Sequence, residues 1–567
     1  MTSLVFYCTL LIVLVYGITS FLAGWRIPVV DHPVADLARK STQWIPEVVG
    51  SLWGSSLPAQ QDAMIEIHSM DIQDKDACLQ RFVNALKIPT VASMEEEPLH
   101  VTKEAHPIFE QFHGQLKKDF PNVFKKLNVE RFLTYSIMLT WQGTLPDLDP
   151  IVLISHFDVV PANAGNWTYP PFSGTVSDGY VWSRGALDTK FTAVSILEAI
   201  NQLLIQGVSP KRTVIVAIGH DEEVGGFGAR SMAEELKSKG IRPSLVLDEG
   251  GFVVMDKADS MARVGLQSPF ALVATGEKVA MNWKITVRGS GGHASLPDTG
   301  SGTMVASRLA AIVSMLDRNP MPTKLESPTT DMMQSIGGSM TFWPIAWLLK
   351  HVDNRLINPI VGQVLGSKGG KALGALVRST AGIVNLEAGQ GAANVLPQDG
   401  SINVNIRTLP SDSRSFVKDY LHTITKSFKD DVTIEDVSAV QYPEGTVTPS
   451  DSPQFNLVKH AIQSILSHRV LDDVPQEARA DVRVKAMPVH PMLLSGMTDS
   501  RWFHEIAPKK IVRFSPFSLK IGRNDLAMIH GVDERVSVHE YFDGIRFFAE
   551  IIQKACMAED QGWSSQK

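Results

Sequence analysis

The sequence predicts an α/β protein whose mixed, largely parallel sheet is covered by helices and interrupted by an inserted α+β unit. Three observations carry this. Short, uninterrupted apolar runs alternate with helix-length amphipathic segments from about 150 onward. Near 280 the texture changes to strict apolar/polar alternation, and after about 445 the first texture returns. A chain of 567 residues is too long for one compact core and fits two or three folding units. Its 44% apolar and 20% charged fractions are those of a globular protein rather than a disordered or fibrous one.

Residues 4–25 carry no charged side chain, and that length meets the roughly 20 residues a bilayer-spanning helix needs. No Lys or Arg precedes Arg26, whereas a cleavable signal normally starts basic. Residues 1–26 therefore read as a single-pass membrane anchor with the body lumenal (vacuole or secretory pathway) or extracellular. A cleaved signal, giving a secreted protein, is the alternative. Residues 27–60 contain Pro, Ser and Trp without periodicity and read as a tether. The sequon Asn166-Trp167-Thr168 is compatible with either placement and is as easily a chance tripeptide.

The first part of the main unit covers 61–275, with a helix expected at 62–86. Apolar strands at 151–155, 213–218 and 244–247 alternate with helices at 189–206 and 229–239, the pattern of parallel strands buried on both faces. In 276–440, Trp283, Ile285 and Val287 alternate with polar neighbours, as do Ile402, Val404 and Ile406. With a helix at 303–317 between them, these half-exposed strands predict a separate α+β unit. Residues 441–560 complete the main unit, ending in a helix at 538–555. The uncharged stretch 332–349, part of a longer segment 332–380, reads as a buried helix pair, an apolar wall for a substrate, or a surface resting on a bilayer.

Fifty-three basic against sixty acidic side chains leave a net charge of −7, which argues against a nucleic-acid partner. Of three cysteines, Cys8 lies in the leader, and Cys78 and Cys556 are too few for a disulfide framework or a thiolate metal site. Any metal must be held by His, Asp and Glu.

Such residues follow the apolar strands. His156-Phe157-Asp158 comes after the first, His220-Asp221-Glu222-Glu223 after the second, and Asp248-Glu249-Gly250-Gly251 after the third, while Asp188 precedes a helix. The crevice beyond the carboxyl ends of the strands is the usual ligand site of an open α/β sheet. Carboxylates gathered there at this density repel one another unless cations separate them. Without thiolates, a hydrolytic metal site is favoured over a structural one. The glycine-rich run Gly366–Lys371 is not a phosphate loop, because Leu365 stands at the required first glycine and Ala372 at the final Ser/Thr.

These motifs, followed by Gly289-Ser-Gly-Gly-His293, Asn394-Val-Leu-Pro, Thr498-Asp499-Ser-Arg501 and His530-Gly-Val-Asp-Glu534, resemble the M20 metallopeptidase family across roughly 60–560. The leader, long insert and ending resemble its carboxypeptidase S and N-fatty-acyl-amino-acid synthase/hydrolase branches. The resemblance implies a zinc-peptidase catalytic domain, an inserted lid/dimerisation domain, and two Zn2+ per subunit, with Co2+ or Mn2+ as alternatives. Asp188 would bridge the metals, His156 and Asp248 would complete one site, and Glu223 and His530 the other. His539 competes with His530 for the last place. Glu222 would be the general base, with Asp158 orienting His156. His293, in family members usually from a partner subunit of a homodimer, would stabilise the oxyanion. Asn394 and Arg407 are candidates for binding a substrate carboxylate; a turn residue and an exposed strand charge are their structural alternatives. The implied reaction is cleavage of an amide beside a free carboxylate, in a peptide or an N-acyl-amino acid. A non-catalytic scaffold of the same fold is the remote alternative.

Overall fold

The computed structural model describes residues 64–65 and 70–557, apart from 95–99, 256–265, 267–268, 301, 390–392, 472–483 and 521–522. The 4–25 leader and the 27–60 tether lie outside the described residues. Among those described, no helix is long and apolar enough to cross a membrane.

The centre of the molecule is a 10-stranded sheet. Its consecutive strands are Asn128–Phe132, Ser136–Trp141, Val214–Gly219, Ile151–His156, Leu245–Asp248, Ile511–Arg513, Phe270–Glu277, Phe252–Val254 and Ser518–Leu519, with Val489–Leu494 also paired to Phe270–Glu277. Val214–Gly219, Ile151–His156, Leu245–Asp248 and Ile511–Arg513 run parallel, and the antiparallel hairpin 128–141 makes one edge, so the sheet is mixed. Successive residues of the central strands feed opposite cores. Ile151, Leu153, Val214, Val216 and Leu245 join the cluster that includes helices Lys75–Leu86, Lys190–Ile205 and Val538–Met557. Val152, Ile154, Ile215, Ala217 and Val246 join the one beneath helix Phe227–Ser238. Burial on both faces is why the strands read as unbroken apolar runs.

The helix expected at 62–86 is shorter. Met64–Ile65 is a strand paired with Val484–Lys485. The helix begins at Lys75, where the Asp74 carboxylate accepts the Ala77 N–H at 3.1 Å. That cap satisfies one of the helix's otherwise orphaned donors and marks the true start.

The second sheet is antiparallel throughout, in the order Thr380–Ala388, Asp399–Thr408, Val279–Arg288 and Val432–Asp436. Trp283, Ile285, Val287, Ile402, Val404 and Ile406 pack with helices Val305–Arg318 and Arg414–Thr425 into a separate cluster. Four further helices, Thr329–Ser339, Trp343–Lys350, Asn358–Lys368 and Gly370–Leu376, precede the edge strand Thr380–Ala388. The uncharged stretch 332–349 lies in the first two. It buries Met333, Ile345 and Leu348 but leaves Phe342 43% and Trp343 40% exposed. Hydrogen bonds fasten this helical segment to the sheets. Ser335 meets His490 of the main sheet at 2.8 Å, and Lys278, at the junction of the two sheets, donates to the Ala375 and Arg378 carbonyls at 2.9 Å each.

Burial, with the charge of Lys459, holds the His490 imidazole down at about 4. Between the ordinary value of about 6.5 and that value, the unfolded chain binds a proton the folded chain refuses, so stability falls as pH drops through this window. His490→Gln removes that contribution. Denaturant unfolding at pH 7 and pH 4.5 should show the variant losing roughly 2–3 kcal/mol less than the parent over the same interval.

Candidate metal centre

Five side chains from separate loops meet at the carboxyl ends of the parallel strands. His156, the last residue of its strand, points Nε2 at Asp188 Oδ1 (3.2 Å) and Glu249 Oε1 (3.1 Å). On the other side, His530 Nε2 lies 2.9 Å from Asp188 Oδ2 and 3.1 Å from Glu223 Oε2. Asp188 thus offers one oxygen to each half. His156 is buried while His530 is exposed, so the cluster opens to solvent on the His530 side.

Two buried carboxylates hold these loops in place. Asp158 lies 3.3 Å from His156 Nδ1 and accepts the Glu222 and Glu223 backbone N–H groups at 3.1 Å each. The His156 Nδ1 also bonds the Asp158 carbonyl at 3.0 Å, which leaves Nε2 for the crevice. Glu534 accepts the Leu187 and Asp188 N–H groups at 2.7 and 3.1 Å, and pairs with Arg184 at 2.7 Å. Arg184 in turn donates to the His530 carbonyl at 3.2 Å. The Arg184–Glu534 ion pair therefore ties the Asp188 loop to the His530 loop across 350 residues of chain.

Electrostatics show what the cluster lacks. Burial, with the charge of Asp188 adding to it, pushes Glu223 up to about 8 and Glu249 up to about 7. Hydrogen bonds to Asp188 and Glu223 lift His530 to about 10. Burial also opposes charge on Asp188, but bonds from His156 and His530 outweigh it and hold that carboxyl well below the ordinary range. Glu223 Oε1 is buried without a hydrogen-bond partner among the described residues. Protons on the imidazoles are the positive charge available among these residues. Ligand atoms of His156, Asp188 and Glu223 all fall within 4.8 Å of one another. An all-N/O donor set with an orphaned carboxylate oxygen fits a borderline divalent cation.

The other sequence candidates are placed unevenly. Asp248, expected beside His156, is turned away: it accepts the Ser500 N–H at 2.7 Å and the Glu249 N–H at 2.9 Å, and Glu249 takes the position in the crevice. The Asp-Glu pair gave two neighbouring carboxylates, and only the Ser500 contact, 252 residues away, separates them. Glu222 stands at the rim with Oε1 accepting from Arg501 at 2.8 Å, a contact that no sequence signal beyond the Thr-Asp-Ser-Arg run announced. His220 bonds Ser136 at 2.7 Å in the core. His293 and Asn394 come together on the inserted unit, where Gly292–His293 pairs with Val395–Leu396. Both are exposed, and His293 bonds Ser295 at 2.7 Å rather than any residue of the metal cluster. Arg407 is half-buried on strand Asp399–Thr408 and bonds Asn405 at 3.2 Å.

His539, the rival for the His530 position, lies elsewhere, with its Nε2 3.2 Å from His468 Nε2 and His468 3.3 Å from Asp543. Arg469 at 2.9 Å and Arg546 at 3.4 Å already pair with Asp543, so its charge is met by side chains without a metal ion.

Such a site, with the Asp188 carboxylate shared between two imidazoles at the mouth of an α/β sheet, has the donor set of a metal-dependent hydrolase. Residues 152–554 match the model of Peptidase family M20/M25/M40, and the chain belongs to that family. It is 32% identical over 477 residues to a probable carboxypeptidase S-like 2 of Dictyostelium discoideum, covering 84% of each chain. It is 30% identical to the N-fatty-acyl-amino acid synthase/hydrolase of Homo sapiens, covering 85% of this chain and 88% of that one. Its fold is similar to that of an M20 family metallo-carboxypeptidase from Sulfolobus solfataricus, with a TM-score of 0.56 at 16% identity, covering 85% of this chain and 99% of that one. The chain is an M20-type hydrolase.

Glu249→Gln and Asp248→Asn separate the two neighbouring carboxylates. Elemental analysis of purified protein should show the first variant losing metal, with affinity down at least about tenfold. The second should keep its metal content and lose thermal stability instead.

Proposed function

We propose that this protein is a two-zinc amidohydrolase cleaving an amide next to a free α-carboxylate. The carrying observation is Asp188 between His156 and His530, each joined by one further carboxylate, Glu249 and Glu223 respectively. These five residues would hold two cations, with Co2+ or Mn2+ able to replace zinc. When bound, such a pair supplies a more acidic water at neutral pH and polarises a carbonyl.

The protein's own groups do the rest. Glu222 lies beside the cluster and is engaged by Arg501 rather than by the imidazoles, as a base that must stay off the metals requires. It takes the proton of the attacking water and passes it to the departing amine nitrogen as the C–N bond breaks. His293 donates to the oxyanion. Arg407 and Asn394 bind the α-carboxylate, with the guanidinium supplying a planar pair of donors.

His293 is remote from the cluster of its own chain in bonding terms, so we assign it to the site of a second copy. The edge strand Thr380–Ala388 supports a homodimer. It exposes Ile383, Val384 and Leu386, with Val384 66% exposed, along an edge that no other strand pairs with among the described residues and that a second chain can extend. Anchoring through 4–25, with the catalytic body lumenal or extracellular, is the reading of the leader.

Relatives carry the names carboxypeptidase S and N-fatty-acyl-amino acid synthase/hydrolase. Hydrolysis and synthesis of one amide share one transition state, so the same residues serve either direction, and both substrate types present an amide beside a free carboxylate. The exposed Phe342 and Trp343 favour an apolar acyl group. Turnover of a long-chain N-acyl-amino acid should exceed that of a dipeptide of the same C-terminal residue; equal rates would remove the argument from these aromatics.

Glu222→Gln should lower kcat by about 100-fold or more while metal content is unchanged. Undiminished turnover would point to another base. His293→Ala should lose turnover without loss of melting temperature. Mixing it with Glu222→Gln should restore part of the activity if the two sites are shared between subunits.

A further inference from the structure

The Glu222 carboxylate does not stand alone at the rim. Arg501, 4% exposed, donates from Nη1 to Glu222 Oε1 at 2.8 Å. Its guanidinium centre lies 5.0 Å from the Tyr442 ring and 5.9 Å from the Trp502 ring, within cation–π range of both. Asp499, on the same turn, sits 3.6 Å from Arg501 Nη2 and packs against Gly219 and Gly226. Among the described residues its carboxyl oxygens have no hydrogen-bond partner, so the strong bond of this guanidinium is the one to Glu222.

Tyr442 is the unusual member of this group. It lies on the segment that returns from the inserted unit and packs against that unit's apolar core, with Val417, Leu421 and Ile424 among the cluster. It also contacts Trp502 of the main unit at 5.4 Å between ring centroids. Trp502 in turn packs against the core under the central sheet. A continuous chain of contacts therefore runs from the inserted unit through Tyr442 and Arg501 to Glu222.

We propose that Arg501 is the positioning residue for Glu222, and that Tyr442 makes this position depend on how the inserted unit sits on the main unit. The inference rests on the amidohydrolase reading and deepens it. A glutamate side chain has three torsions, and a base must come within roughly 2.6–3.2 Å of the proton it takes. A planar guanidinium fixed on its face by an aromatic ring can hold one carboxylate oxygen in a set direction and leave the other for the proton. A lysine, a flexible point charge, cannot do the same. Displacement of the inserted unit shifts Tyr442, tilts the guanidinium and misdirects the base, so Glu222 is aimed only when the unit is in place.

The test is steady-state kinetics on the full chain with an N-acyl-amino acid, with elemental analysis of each variant. Arg501→Ala is expected to lower kcat about 100-fold with KM within about threefold and metal content unchanged. Methylguanidinium should restore roughly tenfold of that loss, and Arg501→Lys should remain as poor as Arg501→Ala. Tyr442→Phe keeps the ring and should match the parent, while Tyr442→Leu should lose about tenfold in kcat without help from methylguanidinium. A kcat for Arg501→Ala within about twofold of the parent overturns the proposal. So does a loss that tracks metal content and melting temperature and resists rescue, since the arginine is then only a buried ion-pair partner. Should Arg501→Ala fail to fold, equal kcat for Tyr442→Leu and Tyr442→Phe overturns it instead. A parent protein without amidase turnover removes the hydrolase reading and this inference together; turnover indifferent to Arg501 removes this inference alone.

Discussion

Two imidazoles facing one partly buried carboxylate set the requirement that the surrounding structure meets. His156 and His530 each approach a different oxygen of Asp188, and each brings one further carboxylate with it. Negative charge at this density is costly in a crevice partly shielded from water unless positive charge divides it. The shifts in the cluster express that demand: burial and the charge of Asp188 raise the Glu223 and Glu249 carboxyls, and hydrogen bonds to Asp188 and Glu223 raise His530.

The scaffold answers by fixing the loops rather than the side chains alone. Asp158 binds the backbone of Glu222 and Glu223, and Glu534 binds the backbone of Leu187 and Asp188. Both carboxylates are buried and work from behind the crevice. The parallel strands end together at this edge, so short loops suffice to bring His156, Glu223 and Glu249 into one place. His530 arrives from a distant part of the chain, and the Arg184–Glu534 pair secures it to the Asp188 loop. The same economy of connection appears at Glu222, whose guanidinium partner touches both the floor of the sheet and a residue packed on the inserted unit.

Periodicity alone made much of the architecture legible. The unbroken runs at 151–155, 213–218 and 244–247 are strands buried on both faces, and the alternating runs near 283 and 402 are half-exposed strands of the second sheet. The helix expected at 62–86 starts only at Lys75, because its apolar spacing extends past the Asp74 cap, where local hydrogen bonding overrides the pattern. Within the cluster, the His, Asp and Glu residues that follow the strand ends include His156 and Glu223, Asp188 stands before a helix, and His530 is a candidate through the family resemblance alone. Asp248 was a different matter, because adjacent carboxylates at a strand end look alike until their partners are known.

Residue order therefore determined by itself that an α/β sheet would carry acid and imidazole at its carboxyl edge. That information is local: apolar period, strand length and the residue types that follow each strand. Tertiary structure alone decided that Glu249 rather than Asp248 faces His156, that His530 rather than His539 meets Asp188, and that Arg501 holds Glu222. Each of those choices is made by a partner more than 30 residues away in sequence, and a hydrogen bond across such a distance leaves no periodic trace in the chain.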